Sequence, residues 1–386
     1  MAESFDWYRL KFFESAENIK RLLSDAPRKI SSKTAKDITV CLSQGRLFFE
    51  AAAHANIEIR PLLLFYGMVG FARAIDMVRR LKGIETLPTS HGLKVDKSGA
   101  KISDLSVKFD GRGTFQAFND SISTIQSIRD CGDAEYSPIY IATSKSDQLL
   151  DKKISLKEIL SRIPGLEKLY FDTYKEPPLV CWANLVSLPF VKEGCFNFVI
   201  HLDRQFFDAS DKPTNLHCIV EDLRSKFLFL KSWRFNMFET TSSELVLTFT
   251  NVSPADSAEF EFFSGEVTAF ASRHEDQLIA FSPIVEVKSI LGPVGRLSST
   301  NTKWCYLIQP FGDLYIAEMS LYYLAMFALS SLVRYHPEKW VHAISGSAYD
   351  RRPADDSVLA IIERFMNISL TDFPEMVLLA IKSPFF

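Results

Sequence analysis

Arginines and histidines set beside glycine turns or at a helix end are the groups in this chain best suited to chemistry, and two sets stand out. The first is Arg73, His91 and Arg112. A guanidinium presents a planar fork of N–H donors that matches a phosphate or carboxylate, and an imidazole beside it can donate or accept a proton. Brought together by the fold, the three would make an anion-binding set. The second is the run Arg334-Tyr335-His336-Pro337-Glu338-Lys339-Trp340-Val341-His342.

Each candidate also has a simpler reading. Arg73, Arg79 and Arg80 stand three or four residues from Asp76, so ion pairs along one helix face would account for them. Arg334 and His336 fit the negative end of a helix dipole. Arg112 lies between Gly111 and Gly113, a turn in which Gln116 takes the place of a third glycine, and no βαβ pattern follows, so a dinucleotide fingerprint is not expected. Cys195, His201, His217 and Cys218 come closest to a ligand cluster. His217 and Cys218 are adjacent on an expected strand and would face opposite sides, so neither a metal nor a cofactor is expected. Ser345-Gly346-Ser347 reads as a turn, and Asp355 and Asp356 suit the first turn of a helix. P-loop, G-x-S-x-G, HExxH and kinase motifs are missing from the sequence.

The elements that must position these residues change character along the chain. Residues 1–83 read as helical. Ser31 and Ser32 can cap a helix from about Lys33 to Ala55, and Pro61 opens a second, to about Lys82, that is apolar on nearly every side and therefore central. Residues 84–175 are mixed, with β-like pieces HGLKV, ISDLSVKF and PIYIAT and the helical ISLKEILSRIPGLEKLYF. Residues 176–312 read as β-rich, with strand candidates CFNFVIHL, LHCIV, FLFLKSWRF, ELVLTFTN, EFEFF, LIAFSPIVEVKSIL and WCYLIQP. Residues 313–386 return to helix, ending in a pair at about Ala354–Met366 and Pro374–Ile381. The expected fold is α+β, the N- and C-terminal helices forming one bundle with the β-rich block inserted between them.

Bulk properties narrow the function classes. The 386 residues are 47% hydrophobic and 24% charged with a formal net charge of -3, so no global attraction toward a nucleic-acid backbone is expected. The 32 Phe residues imply an aromatic core. Six Cys without a CxxC motif read as reduced thiols of a cytoplasmic protein, and the opening MAESFDWYRLKFF lacks an export signal. The uncharged run Met319–Val333 is shorter than a membrane span and reads as a buried helix.

The segments IEIRPLLLFYGMVGFARAI and HGLKV, with Trp7, FFEAAAHA, GRGTFQAF and LSSLVRYHPEKW, make the chain similar to the bacterial YaaC-like family over most of its length. That resemblance implies an architecture rather than a reaction. Arg334 with its histidines also resembles the metal-free ribonuclease site of the HEPN superfamily. One residue between Arg334 and His336, seven between Arg334 and His342, and the intervening Pro337 all depart from that pattern.

The leading expectation is a bacterial regulatory or binding protein, not an enzyme, that recognises a nucleotide-like ligand or a protein partner at the junction of bundle and β-rich block. A role in stress or phage defence, and self-association, are compatible with it. The alternatives are a ribonuclease effector acting through Arg334 with His336 or His342, and a structural subunit of a larger assembly.

Overall fold

Local signals account for the first long helices. Ser31 caps the helix Ser32–His54, its hydroxyl accepting from the Thr34 amide at 3.0 Å. That helix buries Ala35, Ile38, Cys41, Leu42, Phe49 and Ala52, a spacing that lines one helical face. Pro61 stands in the first turn of the next helix, Arg60–Arg80, where its missing N–H costs nothing. The two helices cross closely because glycines meet: a Cβ on Gly70 would come 3.0 Å from both the Cys41 carbonyl oxygen and the Gly45 nitrogen.

A computed structural model describes residues 5–24, 26–96, 102–122, 144–187, 196–207, 216–227, 230, 233–241, 243–250, 271–274, 277–280, 302–344 and 358–382. The chain divides into two compact units. The first comprises residues 1–123, 144–173 and 317–386, the second residues 124–143 and 174–316.

In the first unit the Arg60–Arg80 helix is central, packing against Ser32–His54, Thr114–Ser121, Glu318–Tyr335 and Leu359–Lys382. N- and C-terminal helices therefore form one bundle, as expected. Polar ties join them: Trp340 Nε1 donates to the Glu58 carbonyl at 3.0 Å, and Arg9 pairs with Glu375. The 319–333 run belongs to the buried helix Glu318–Tyr335. Of the described helices, Arg60–Arg80 is long and apolar enough to cross a membrane, and 78% of its apolar window is buried in protein. A three-stranded antiparallel sheet, Leu93–Asp96, Ser106–Phe109 and Lys153–Ser155, completes this unit.

The second unit carries a five-stranded antiparallel sheet in the order Thr302–Ile308, Val180–Ser187, Phe196–Asp203, Glu244–Thr250 and Arg234–Thr240. Phe198 pairs with Phe249 and Ile200 with Leu247, and this apolar face packs with Ile219, Val220 and Leu223 of the helix Leu216–Lys226. A hairpin, Ala271–His274 with Gln277–Ala280, is also described.

Several elements correct the sequence reading. LHCIV is the start of the helix Leu216–Lys226, because the charged residues that follow complete a helical period with Ile219, Val220 and Leu223 on its buried face. Strand Val180–Ser187 lies in a stretch not singled out above, and the strand within FLFLKSWRF begins only at Arg234. The expected pair of C-terminal helices is one continuous helix, Leu359–Lys382, with Pro374 inside it. Phe365, Phe373 and Val377 are fully buried on both sides of the proline, so packing overrides its helix-breaking tendency. PIYIAT and EFEFF lie outside the described residues.

Candidate functional site

Phe65, fully buried on the central helix, is the point on which the functional groups of the first unit converge. The helix Glu318–Tyr335 supplies Tyr323 and Phe327, one turn apart, with ring centroids each 5.5 Å from that of Phe65. The same helix ends in Arg334, whose guanidinium carbon stands 5.2 Å from the Phe65 centroid. The His91 ring meets Phe65 edge-on at 5.2 Å and Phe327 at 6.0 Å.

His91 is held there by its backbone. The loop 90–92 lies against the start of the helix Thr114–Ser121, whose first amides bond to it, Thr114 to the Ser90 carbonyl at 2.9 Å and Phe115 to the His91 carbonyl at 3.1 Å. Gln116 Nε2 donates to the Gly92 carbonyl at 2.6 Å, and Ser90 Oγ donates to the Arg112 carbonyl at 2.9 Å. These bonds occupy N–H groups that a helix start would otherwise leave free.

The charges are unbalanced. Asp76, buried on the central helix, pairs with Arg80 and not with Arg73. Arg73 Nε is buried without a hydrogen-bond partner among the described residues. The hydrogen bonds of Arg334 among the described residues are long and go to serines, Nε to the Ser330 carbonyl at 3.3 Å and Nη2 to the Ser330 and Ser331 hydroxyls at 3.4 and 3.5 Å. Neither guanidinium has a carboxylate within ion-pair distance among the described residues. Burial, then Arg334, then Arg73 lower the His91 pKa from its ordinary 6.5, so the ring is neutral at pH 7. Burial drives the Tyr323 phenol upward against the pull of Arg73 and Arg334, and its hydroxyl is buried without a partner among the described residues. Arg334, His91 and Tyr323 thus set a guanidinium, an imidazole and a phenol around the Phe65 ring, and the charge of Arg73 bears on the latter two. Such a donor set suits an oxyanion.

Of the sequence candidates, His91 and Arg334 meet here on Phe65, and the charge of Arg73 bears on His91 and Tyr323. Arg112 is exposed on the GRG turn and takes no part in the contacts at Phe65. That turn joins strand Ser106–Phe109 to the helix Thr114–Ser121, but the sheet is antiparallel, unlike a dinucleotide-binding βαβ unit. His336 lies just beyond its helix, with Nδ1 3.4 Å from Glu338 and Nε2 buried without a partner among the described residues. The His342 side chain, residues 345–347, Asp355, Asp356 and Cys195 lie outside what is described.

His217 and Cys218 occupy a helix rather than a strand, which corrects the opposite-faces argument. His201 is bound on both ring nitrogens, by Asn184 at 2.8 Å and Glu244 at 3.2 Å. Among the described residues no cluster of three or more His, Cys, Asp or Glu side chains is arranged to hold a metal ion. Tyr323 and Phe65 went unnoticed in the sequence. The signal available was Tyr322-Tyr323 inside an otherwise apolar helix, since a buried phenol requires a partner.

The YaaC-like Protein family model matches residues 6–381. No curated protein and no solved structure matches the chain significantly.

Proposed function

This chain belongs to the YaaC-like family, and from the site in its helical unit we propose that it is a binding protein for an anionic, phosphate-bearing ligand. One observation carries the reading: Arg334 stands over Phe65 beside His91 and Tyr323 without a carboxylate partner among the described residues, and the buried Nε of Arg73, whose charge bears on His91 and Tyr323, has no hydrogen-bond partner there either. A half-buried guanidinium without a carboxylate partner carries an uncompensated desolvation cost in the unliganded protein, and a bound oxyanion relieves it. Proteins retain such arrangements for ligands more readily than for stability.

Titration of the full chain with inorganic phosphate and pyrophosphate, read by calorimetry and thermal unfolding, tests this. Binding should raise the Tm of the wild type. Arg73→Gln and Arg334→Gln should each weaken binding by about tenfold or more, the effect of one charged hydrogen bond. The unliganded Tm should hold or rise, because each substitution removes a half-buried charge that no carboxylate offsets among the described residues. Absence of anion binding, or unaltered affinity in both variants, would sink the proposal.

The ribonuclease alternative has less support in the form that pairs Arg334 with His336, since His336 Nδ1 faces Glu338 and its Nε2 is buried. The histidine whose pKa Arg334 lowers is His91.

A further inference from the structure

Arg334 has aromatic rings on more than its buried side. Its guanidinium carbon lies 5.2 Å from the Tyr335 centroid and 6.0 Å from that of Tyr66. Tyr335 is 63% exposed and Tyr66 37% exposed, although rings of this size gain most from burial. Tyr66 is also braced from behind, by Phe48 at 5.8 Å with the rings 30° apart and by Phe65 at 5.8 Å. A braced ring holds its orientation without a ligand, and this lowers the entropy cost of stacking something on it.

We propose that the ligand of this site is a nucleotide, its base stacking on Tyr335 and Tyr66 while its phosphate lies against Arg334. The proposal rests on the anion-binding reading above and adds the chemical class. Inorganic phosphate, pyrophosphate or a sugar phosphate would use the guanidinium and leave both tyrosine faces in water. A nucleobase has a π face for the rings and is joined through its sugar to the phosphate, so one molecule satisfies both halves of the site.

The experiment compares AMP with ribose 5-phosphate on the full chain, in the wild type, Tyr335→Ala, Tyr335→Phe and Tyr66→Ala. Because Tyr335 is exposed, its substitution leaves the fold intact, and a circular dichroism melt checks this. AMP should bind the wild type about tenfold more tightly than ribose 5-phosphate, the contribution of a stacked base. Tyr335→Ala should erase most of that preference with little change in ribose 5-phosphate affinity, and Tyr335→Phe should keep it. Tyr66→Ala should reduce it.

Equal affinity of the wild type for both compounds overturns base recognition and leaves the anion site standing. Failure of either compound, and of phosphate, to bind overturns both readings. A 5′-phosphorylated oligoadenylate run alongside separates two sources of the same chemistry: tighter binding than AMP assigns the site to a strand end, weaker or equal binding to a free nucleotide.

Discussion

A Cβ on Gly113 would stand 2.1 Å from the backbone nitrogen of Gly92, so these two residues are glycines because their backbones touch. Gly92 further adopts φ +73°, in the left-handed region, whereas Gly113 at φ -170° is ordinary extended chain. The contact presses the 90–92 loop onto the start of the helix Thr114–Ser121 and thereby sets the His91 ring against Phe65.

Gly113→Ala should therefore destabilise the protein by about 1–3 kcal/mol, the range for overpacking, and weaken anion binding together with it. Gly111→Ala is the control. Gly111 has φ +67° but open space around it, so alanine there adds backbone strain without displacing the loop. Thermal unfolding and phosphate titration of both variants make the comparison, and unaltered binding in Gly113→Ala would show that the glycine contact does not position His91.

Tyr323→Phe should raise the stability of the unliganded protein by about 1 kcal/mol, because a buried hydroxyl without a partner is costly and phenylalanine keeps the ring contacts with Phe65, Phe115 and Phe118. The same change should weaken phosphate binding. Urea unfolding with and without phosphate reads both effects, and a loss of stability without ligand would mean that the hydroxyl is satisfied within the protein.

The His91 pKa is depressed in the folded chain, so acid works against this residue in a definite direction. As pH falls through the ordinary value of 6.5, unfolded chains take up a proton that folded His91 still refuses, and stability declines until the folded pKa is passed. His91→Gln should lessen the decline measured between about pH 7.5 and about pH 5. A bound anion opposes the two arginines, so phosphate should move the NMR titration midpoint of His91 upward. A midpoint at or above 6.5 without ligand would contradict the burial of the ring beside Arg334.

Locally encoded features were legible from residue order. The Ser31 cap, the apolar spacing from Ala35 to Ala52 and the proline at position 61 each act within one or two helical turns, and the two long N-terminal helices follow from them. Short windows failed where two periods fit the same letters. LHCIV alternates well enough for a strand, and only its packing through Ile219, Val220 and Leu223 makes it a helix. Pro374 marked a helix start by local rule, yet tertiary burial of Phe373 and Val377 carries the helix through it.

Residue order likewise determined which donors exist, but not which of them meet. Asp76 stands three residues from Arg73 and Arg79 and four from Arg80, and helical spacing permits a pair with any of the three. The folded chain pairs it with Arg80 and leaves the charge of Arg73 to bear on His91 and Tyr323, groups from a loop and a helix that lie far from it in sequence. Their mutual influence is strong only where packed helices exclude water, and that exclusion is a property of the assembled bundle rather than of any segment.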